Sequence, residues 1–140
     1  RRKKKEKKNM VSKQEQENKL ALIPKSEKYI EYMLDVMIKL PRTEKFSIGT
    51  EYKQSMYKML NKVMILNKTK NINNEKEIIS TLNEIDAELN TQRIYLRIMK
   101  KYRWIDEKKF KVSMELIYEI GKILGGLIKY YAKNNKKQIL

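Results

Sequence analysis

Neither cysteine nor histidine occurs among the 140 residues. The first absence excludes disulfides and thiolate metal sites, and the second removes the commonest general base and the commonest neutral metal ligand. No glycine-rich phosphate loop and no metal-ligand spacing is present, so the chain reads as a non-enzyme without catalytic residues, cofactor or metal. Long apolar runs are also missing: Lys122 and Lys129 interrupt the most apolar stretch, and nothing approaches the roughly 20 residues needed to span a bilayer. The first residues are charged and lack the apolar core of a signal peptide. The expectation is a cytoplasmic protein with no membrane association.

Glycine is scarce, and its placement is odd. Three of the four glycines, Gly121, Gly125 and Gly126, fall in "EIGKILGGLIKYY", where Ile120, Ile123, Leu124, Leu127, Ile128 and Tyr131 recur at helical spacing. Each should cost roughly 1 kcal/mol relative to alanine in a helix interior. Gly121 and Gly125 are four apart and share a face, so they predict a close approach by a neighbouring helix, within the bundle or between protomers, at which alanine would be harmful. A kinked or frayed helix end is the alternative.

What the chain has in excess is positive charge: 33 Lys and Arg against 17 Asp and Glu, net +16. The opening "RRKKKEKKN" holds seven bases and one acid, and without it 26 bases face 16 acids, a net +10. Such a balance points to an anionic partner, nucleic acid before a membrane surface. Residues 1–23 lack a sustained apolar period and read as a basic mobile arm. Met10 is a candidate natural start, which would make the first nine residues vector-derived.

From Pro24 onward the pattern is helical. Pro24, Ser26 and Glu27 mark a helix start, and Ile30, Met33, Leu34 and Met37 define an amphipathic helix over about 25–40 that Pro41 stops. Gly49 and Thr50 offer a turn and a cap before a second helix at about 50–67, carried by Tyr52, Met56, Met59, Leu60 and Val63. An Asn-rich loop leads to a third at about 75–102 through Ile78, Leu82, Ile85, Leu89, Leu96 and Met99. Asp106 can cap a fourth at about 106–132, with Phe110, Met114, Ile117, Leu124, Ile128 and Tyr131 on one side. Residues 134–140 form a polar tail. The fold expected is all-α, an antiparallel up-down four-helix bundle over 24–133 whose methionines fill gaps in the core.

Two basic lines stand out on these helices. "QRIYLRIMKKYRW" puts Arg93, Arg97, Lys100 and Lys101 along one helical face, with Arg103 just beyond and Tyr95, Tyr102 and Trp104 nearby. Arginine can grip phosphate with two hydrogen bonds while aromatic faces stack on unpaired bases. Lys122, Lys129 and Lys133 form a second line on the fourth helix. A solvated face over an apolar core would give the same patterns. The acid clusters Asp106 with Glu107, and Glu84 with Asp86 and Glu88, are accounted for by capping and by pairing with lysines.

Three stretches together resemble a known family. "LPRTEKFSIG" at 40–49 is similar to the connector of bacterial four-helix-bundle proteins related to those encoded in ribosomal-RNA intervening sequences. "RIYLR" at 93–97 and "EIGKILGGLIKY" at 119–130 resemble the third and fourth helices of Avd, the accessory variability determinant of diversity-generating retroelements. Leu127 stands where many members carry Trp, and the 1–23 arm lies outside the pattern. The resemblance implies a positively charged, barrel-shaped homopentamer that associates with the retroelement's reverse transcriptase and its template RNA, with DNA as a further nucleic-acid partner. The polymerase would supply the chemistry, and the two basic lines would be the contact candidates. An intervening-sequence type of protein with another RNA or protein partner is the alternative.

Overall fold

The computed structural model describes the backbone of residues 2–68 and 75–139, and side chains within it except those of 2–12, Gln14, Gln16 and 134–139. Its elements are α1 (Arg2–Ile38), α2 (Arg42–Lys45), α3 (Ile48–Lys68), α4 (Glu75–Lys101) and α5 (Glu107–Ile139). No strand occurs among the described residues. α2 is a single turn, leaving four long helices, each packed against two neighbours in the cycle α1, α3, α4, α5. Cross-helix pairs fix the direction of each seam. Tyr29 with Tyr52 and Leu40 with Gly49 fix that of α1/α3, and Arg93 with Gly121 and Lys100 with Phe110 that of α4/α5. Lys62 meets Glu84 and Tyr52 meets Tyr95 across α3 and α4, while Lys25 meets Glu119 and Lys19 meets Tyr131 across α1 and α5. Numbers rise on one helix as they fall on its neighbour, so the bundle is antiparallel, up-down-up-down, as the periodicity predicts.

The interior follows from the 3.6-residue repeat. On α4, Ile78, Leu82, Ile85, Leu89, Leu96 and Met99 are all buried, the set expected from spacing. Five methionines, at 33, 37, 56, 59 and 99, are buried among Leu and Ile from all four helices, where their flexible thioethers fill irregular gaps. On α5 the stripe is rotated from the expected one: Ile117, Ile120, Leu124, Leu127 and Tyr131 are buried, whereas Phe110, Met114 and Ile128 are half-covered at its edge.

Three local expectations need correction. The first helix does not start at Pro24 but runs unbroken through it from Arg2, so helical backbone replaces the arm expected at 1–23. Leu22 is fully buried, and Lys19 pairs with Glu15 at 2.9 Å and lies 5.0 Å from the centroid of the Tyr131 ring. These contacts hold the helix past a proline that removes one hydrogen bond, to the carbonyl of solvent-facing Leu20, which water can satisfy. Ser26 is therefore a buried mid-helix residue and no cap.

The second correction concerns Gly49 and Thr50. Gly49 lies inside the first turn of α3, and a Cβ there would stand 3.2 Å from the Glu44 carbonyl oxygen and 3.3 Å from Leu40 Cδ1. The residue is small because α2 folds back on α3, and Thr50 Oγ1 donates to the Lys45 carbonyl (3.3 Å) across the same join. The third concerns the glycines of α5. No helix backbone approaches Gly121; the neighbour a Cβ would meet is Arg93 Nη2, at 2.8 Å, and around Gly125 and Gly126 nothing stands within 4 Å. Within the bundle these glycines meet only α4 side chains, Arg93 and, at 3.8 Å, Leu89 Cδ2, or open space, which leaves a contact between protomers as the remaining form of the expectation. Asp106 does cap α5, its Oδ1 accepting the Lys109 N–H at 2.7 Å.

Candidate nucleic-acid interface

α4 presents its bases on the side away from the core and toward α5. Arg93 is half-buried in the α4/α5 seam, with Nη1 donating to Asn90 Oδ1 and Nη2 lying over Gly121. Lys100 is also committed: its Nζ is 3.6 Å from Glu107 Oε1 and 4.5 Å from the centroid of the Phe110 ring. Arg97, Lys101 and Arg103 are exposed and make no ion pair with any described residue. The expected stripe thus divides into two pinned bases and three free ones. Free cations hold their full hydration and charge for an incoming phosphate, with no existing pair to break.

On α5, Lys122 shares an open groove of about 1060 Å³ with Arg93, above a floor made by Phe110, Met114 and Tyr118. Lys108 and Lys111 add to it, but Glu107, Glu115 and Glu119 lie on the same walls, so the groove is close to neutral. Lys129 and Lys133 are exposed two and three turns further along α5, outside this groove. The two basic lines therefore do not merge. The opposite flank of α5 differs again: its cleft with α1, about 470 Å³, is lined by Glu31, Asp35, Glu115 and Glu119 with Lys28 as its sole base. Exposed bases gather at the carboxyl-terminal end of α4 and in the α4–α5 turn, whereas acids outnumber bases in the α1/α5 cleft.

That turn has a defined construction. The Arg103 N–H donates to the Lys100 carbonyl (3.0 Å) and the Trp104 N–H to the Met99 carbonyl (2.9 Å), the paired bonds of a Schellman C-cap. Arg103 takes the left-handed position, φ 60°, that glycine normally fills. Trp104 is half-covered next to buried Ile105 and stacks on Tyr102, with ring centroids 5.1 Å apart and planes 18° from parallel. The composition of "YRW" gave its aromatics and charge, but a left-handed arginine has no sequence signal.

The core holds a polar chain that periodicity did not single out. Tyr52 and Tyr29 hydroxyls are hydrogen-bonded, Tyr29 donates to Gln92 Oε1 (2.7 Å), Gln92 Nε2 donates to Ser55 Oγ (3.0 Å), and Ser55 donates to Glu88 Oε2 (2.7 Å). Since Tyr29 gives its proton to Gln92, Tyr52 is the donor in the first link, and every link points toward Glu88. Burial pushes the Tyr29 and Tyr52 hydroxyls well above their ordinary pKa, so both remain protonated donors. The signal was present: the buried spacing 85, 89, 92, 96 puts Gln92 on the core face. The acids of the 84–88 cluster are engaged too, Glu84 with Lys62 at 2.6 Å and Asp86 with Asn90 at 3.4 Å.

No curated protein matches the sequence. The sequence pattern of the bAvd-like family does, over residues 10–131, a span that includes every position found buried among the described residues. The two stretches resembling Avd, 93–97 and 119–130, both fall inside it, and the chain belongs to the bAvd-like family.

Proposed function

We propose that this protein is the accessory nucleic-acid-binding component of a diversity-generating retroelement, associating with the reverse transcriptase and template RNA and enabling mutagenic cDNA synthesis. Membership of the bAvd-like family supports this reading over that of an intervening-sequence type. The observation that carries the nucleic-acid part is the group Arg97, Lys101 and Arg103, exposed and without ion pairs to described residues at one end of the bundle. The protein acts as a homopentamer: Ile94 and Ile98 on the outward face of α4 are 50% and 36% exposed, and Ile65 on α3 is 56% exposed. A second copy would cover such positions. Light scattering should then give about five times 16.9 kDa, and a monomer at micromolar concentration would contradict it.

The charge assignment is tested by RNA binding in the 140-residue chain with the lysines at 3, 4, 5, 7 and 8 changed to Gln. Affinity should fall roughly a thousandfold between 50 and 200 mM salt if about six phosphates are neutralised. Arg97→Ala with Lys101→Ala should weaken binding far more than Lys58→Ala with Lys76→Ala, which removes the same charge from other surfaces. Equal losses would mean diffuse attraction and no site.

A further inference from the structure

We propose that the α4–α5 turn is a stacking platform for an unpaired nucleobase of single-stranded nucleic acid, with Tyr102 as the ring on which the base lies. This rests on the nucleic-acid reading above and narrows it to one polymer state and one place. Tyr102 is 62% exposed, an aromatic ring left largely to water. Trp104 lies beneath it in a near-parallel stack and is itself half-covered, so the tyrosine is backed by an anchored ring and held in one orientation. A base added to the open side would extend an existing two-ring stack, with little side-chain ordering left to do.

The charge around the ring fits a strand passing through. Lys101 and Arg103 flank Tyr102 in sequence without ion pairs. The antiparallel register that pairs Tyr52 with Tyr95, and Leu40 with Gly49, places α2 at this same end of the bundle, bringing exposed Arg42 and Phe46. Of the nearby acids, Asp106 caps α5, Glu107 lies 3.6 Å from Lys100, and Glu44 accepts the Ser47 hydroxyl at 3.2 Å, while Glu51 in the first turn of α3 is exposed. The left-handed position of Arg103 is accounted for by the Schellman cap it closes, and its side chain makes no hydrogen bond or ion pair with a described residue, so its charge is open to a phosphate.

The interior of a duplex presents only stacked, paired bases, so the duplex used is closed at both ends by hairpin loops that keep its terminal pairs from the platform. A protein partner would use the exposed aromatics without discriminating between strand states. The chain's single tryptophan, Trp104, is a built-in reporter. The 140-residue chain is titrated at fixed salt with single strands of about 12 nucleotides, RNA and DNA of one sequence, and with the matching duplex. Both single strands should change Trp104 fluorescence and the duplex should not. Tyr102→Ala should lower single-strand affinity roughly tenfold and leave duplex affinity unchanged, while Tyr102→Phe should retain the single-strand affinity. An equal loss for single strand and duplex, or no loss for either, overturns the platform while nucleic-acid binding itself stands. Failure of the unsubstituted chain to bind either polymer overturns both readings, and loss of polymerase association alone in Tyr102→Ala would reassign the ring to a protein contact.

Discussion

Gly121 and Gly125 sit one turn apart on α5 and meet different surroundings. The open space around Gly125 means that alanine there brings only its better helix propensity. Gly125→Ala should therefore stabilise the fold by about 1 kcal/mol. At Gly121 the added methyl would press on Arg93 Nη2, the far end of a flexible side chain that can swing aside. Gly121→Ala should be close to neutral, the propensity gain offset by displacing the arginine from Asn90. Chemical denaturation of both variants checks this, and a loss of more than about 1 kcal/mol at Gly125 would show that a second copy packs there. The glycine that does need its size is Gly49, the one that sequence reading had assigned to an ordinary turn.

At the level of elements, α3, α4 and α5 were legible because their apolar residues repeat with the helical period and little else competes. The amino-terminal half of α1 was not. It is anchored by the burial of Leu22 and by Lys19 over Tyr131 of α5, more than a hundred residues away, a contact that no local pattern announces. α2 was hidden for a related reason, since it exists only because Gly49 lets its backbone close on α3. The bases of α4 can be read from the sequence as one helical face, but which of them are free is decided by Phe110, Glu107 and Asn90. Gln92 links these cases: it follows the core period, yet its polarity masked it. It joins α1 to α4 across the diagonal of the bundle, through Tyr29, and α3 to α4 through Ser55. Gln92→Ala would strand the buried Tyr29 proton and deprive Ser55 of its donor, and should destabilise by about 2 to 3 kcal/mol. A urea midpoint unchanged from the parent chain would show that water replaces the amide.

For the whole molecule, the two buried tyrosines set the alkaline limit. Their folded pKa values are raised by burial above the ordinary value near 10. The stability they allow is complete below pH 10, and it is lost as pH rises beyond that value, because the unfolded chain releases protons that the folded chain keeps. Thermal melts should be flat from pH 7 to 9 and fall above pH 10, by up to about 1.4 kcal/mol per pH unit for each tyrosine. Tyr29→Phe with Tyr52→Phe should flatten that fall; if the double variant declines as steeply, exposed lysines and tyrosines carry it instead.

The cyclic order of the helices has a kinetic consequence. Three of the four seams, α1 with α3, α3 with α4 and α4 with α5, join neighbours in the chain, so each can close over a short loop at small entropic expense. The fourth, α1 with α5, brings together helices from opposite ends of the chain. Mostly local contacts place the bundle among the fast folders, in the microsecond to millisecond range. On this topology the seams between chain neighbours should form first and the α1/α5 seam last. Lys25–Glu119 and Leu22 would govern how quickly the bundle opens and leave its folding rate almost untouched.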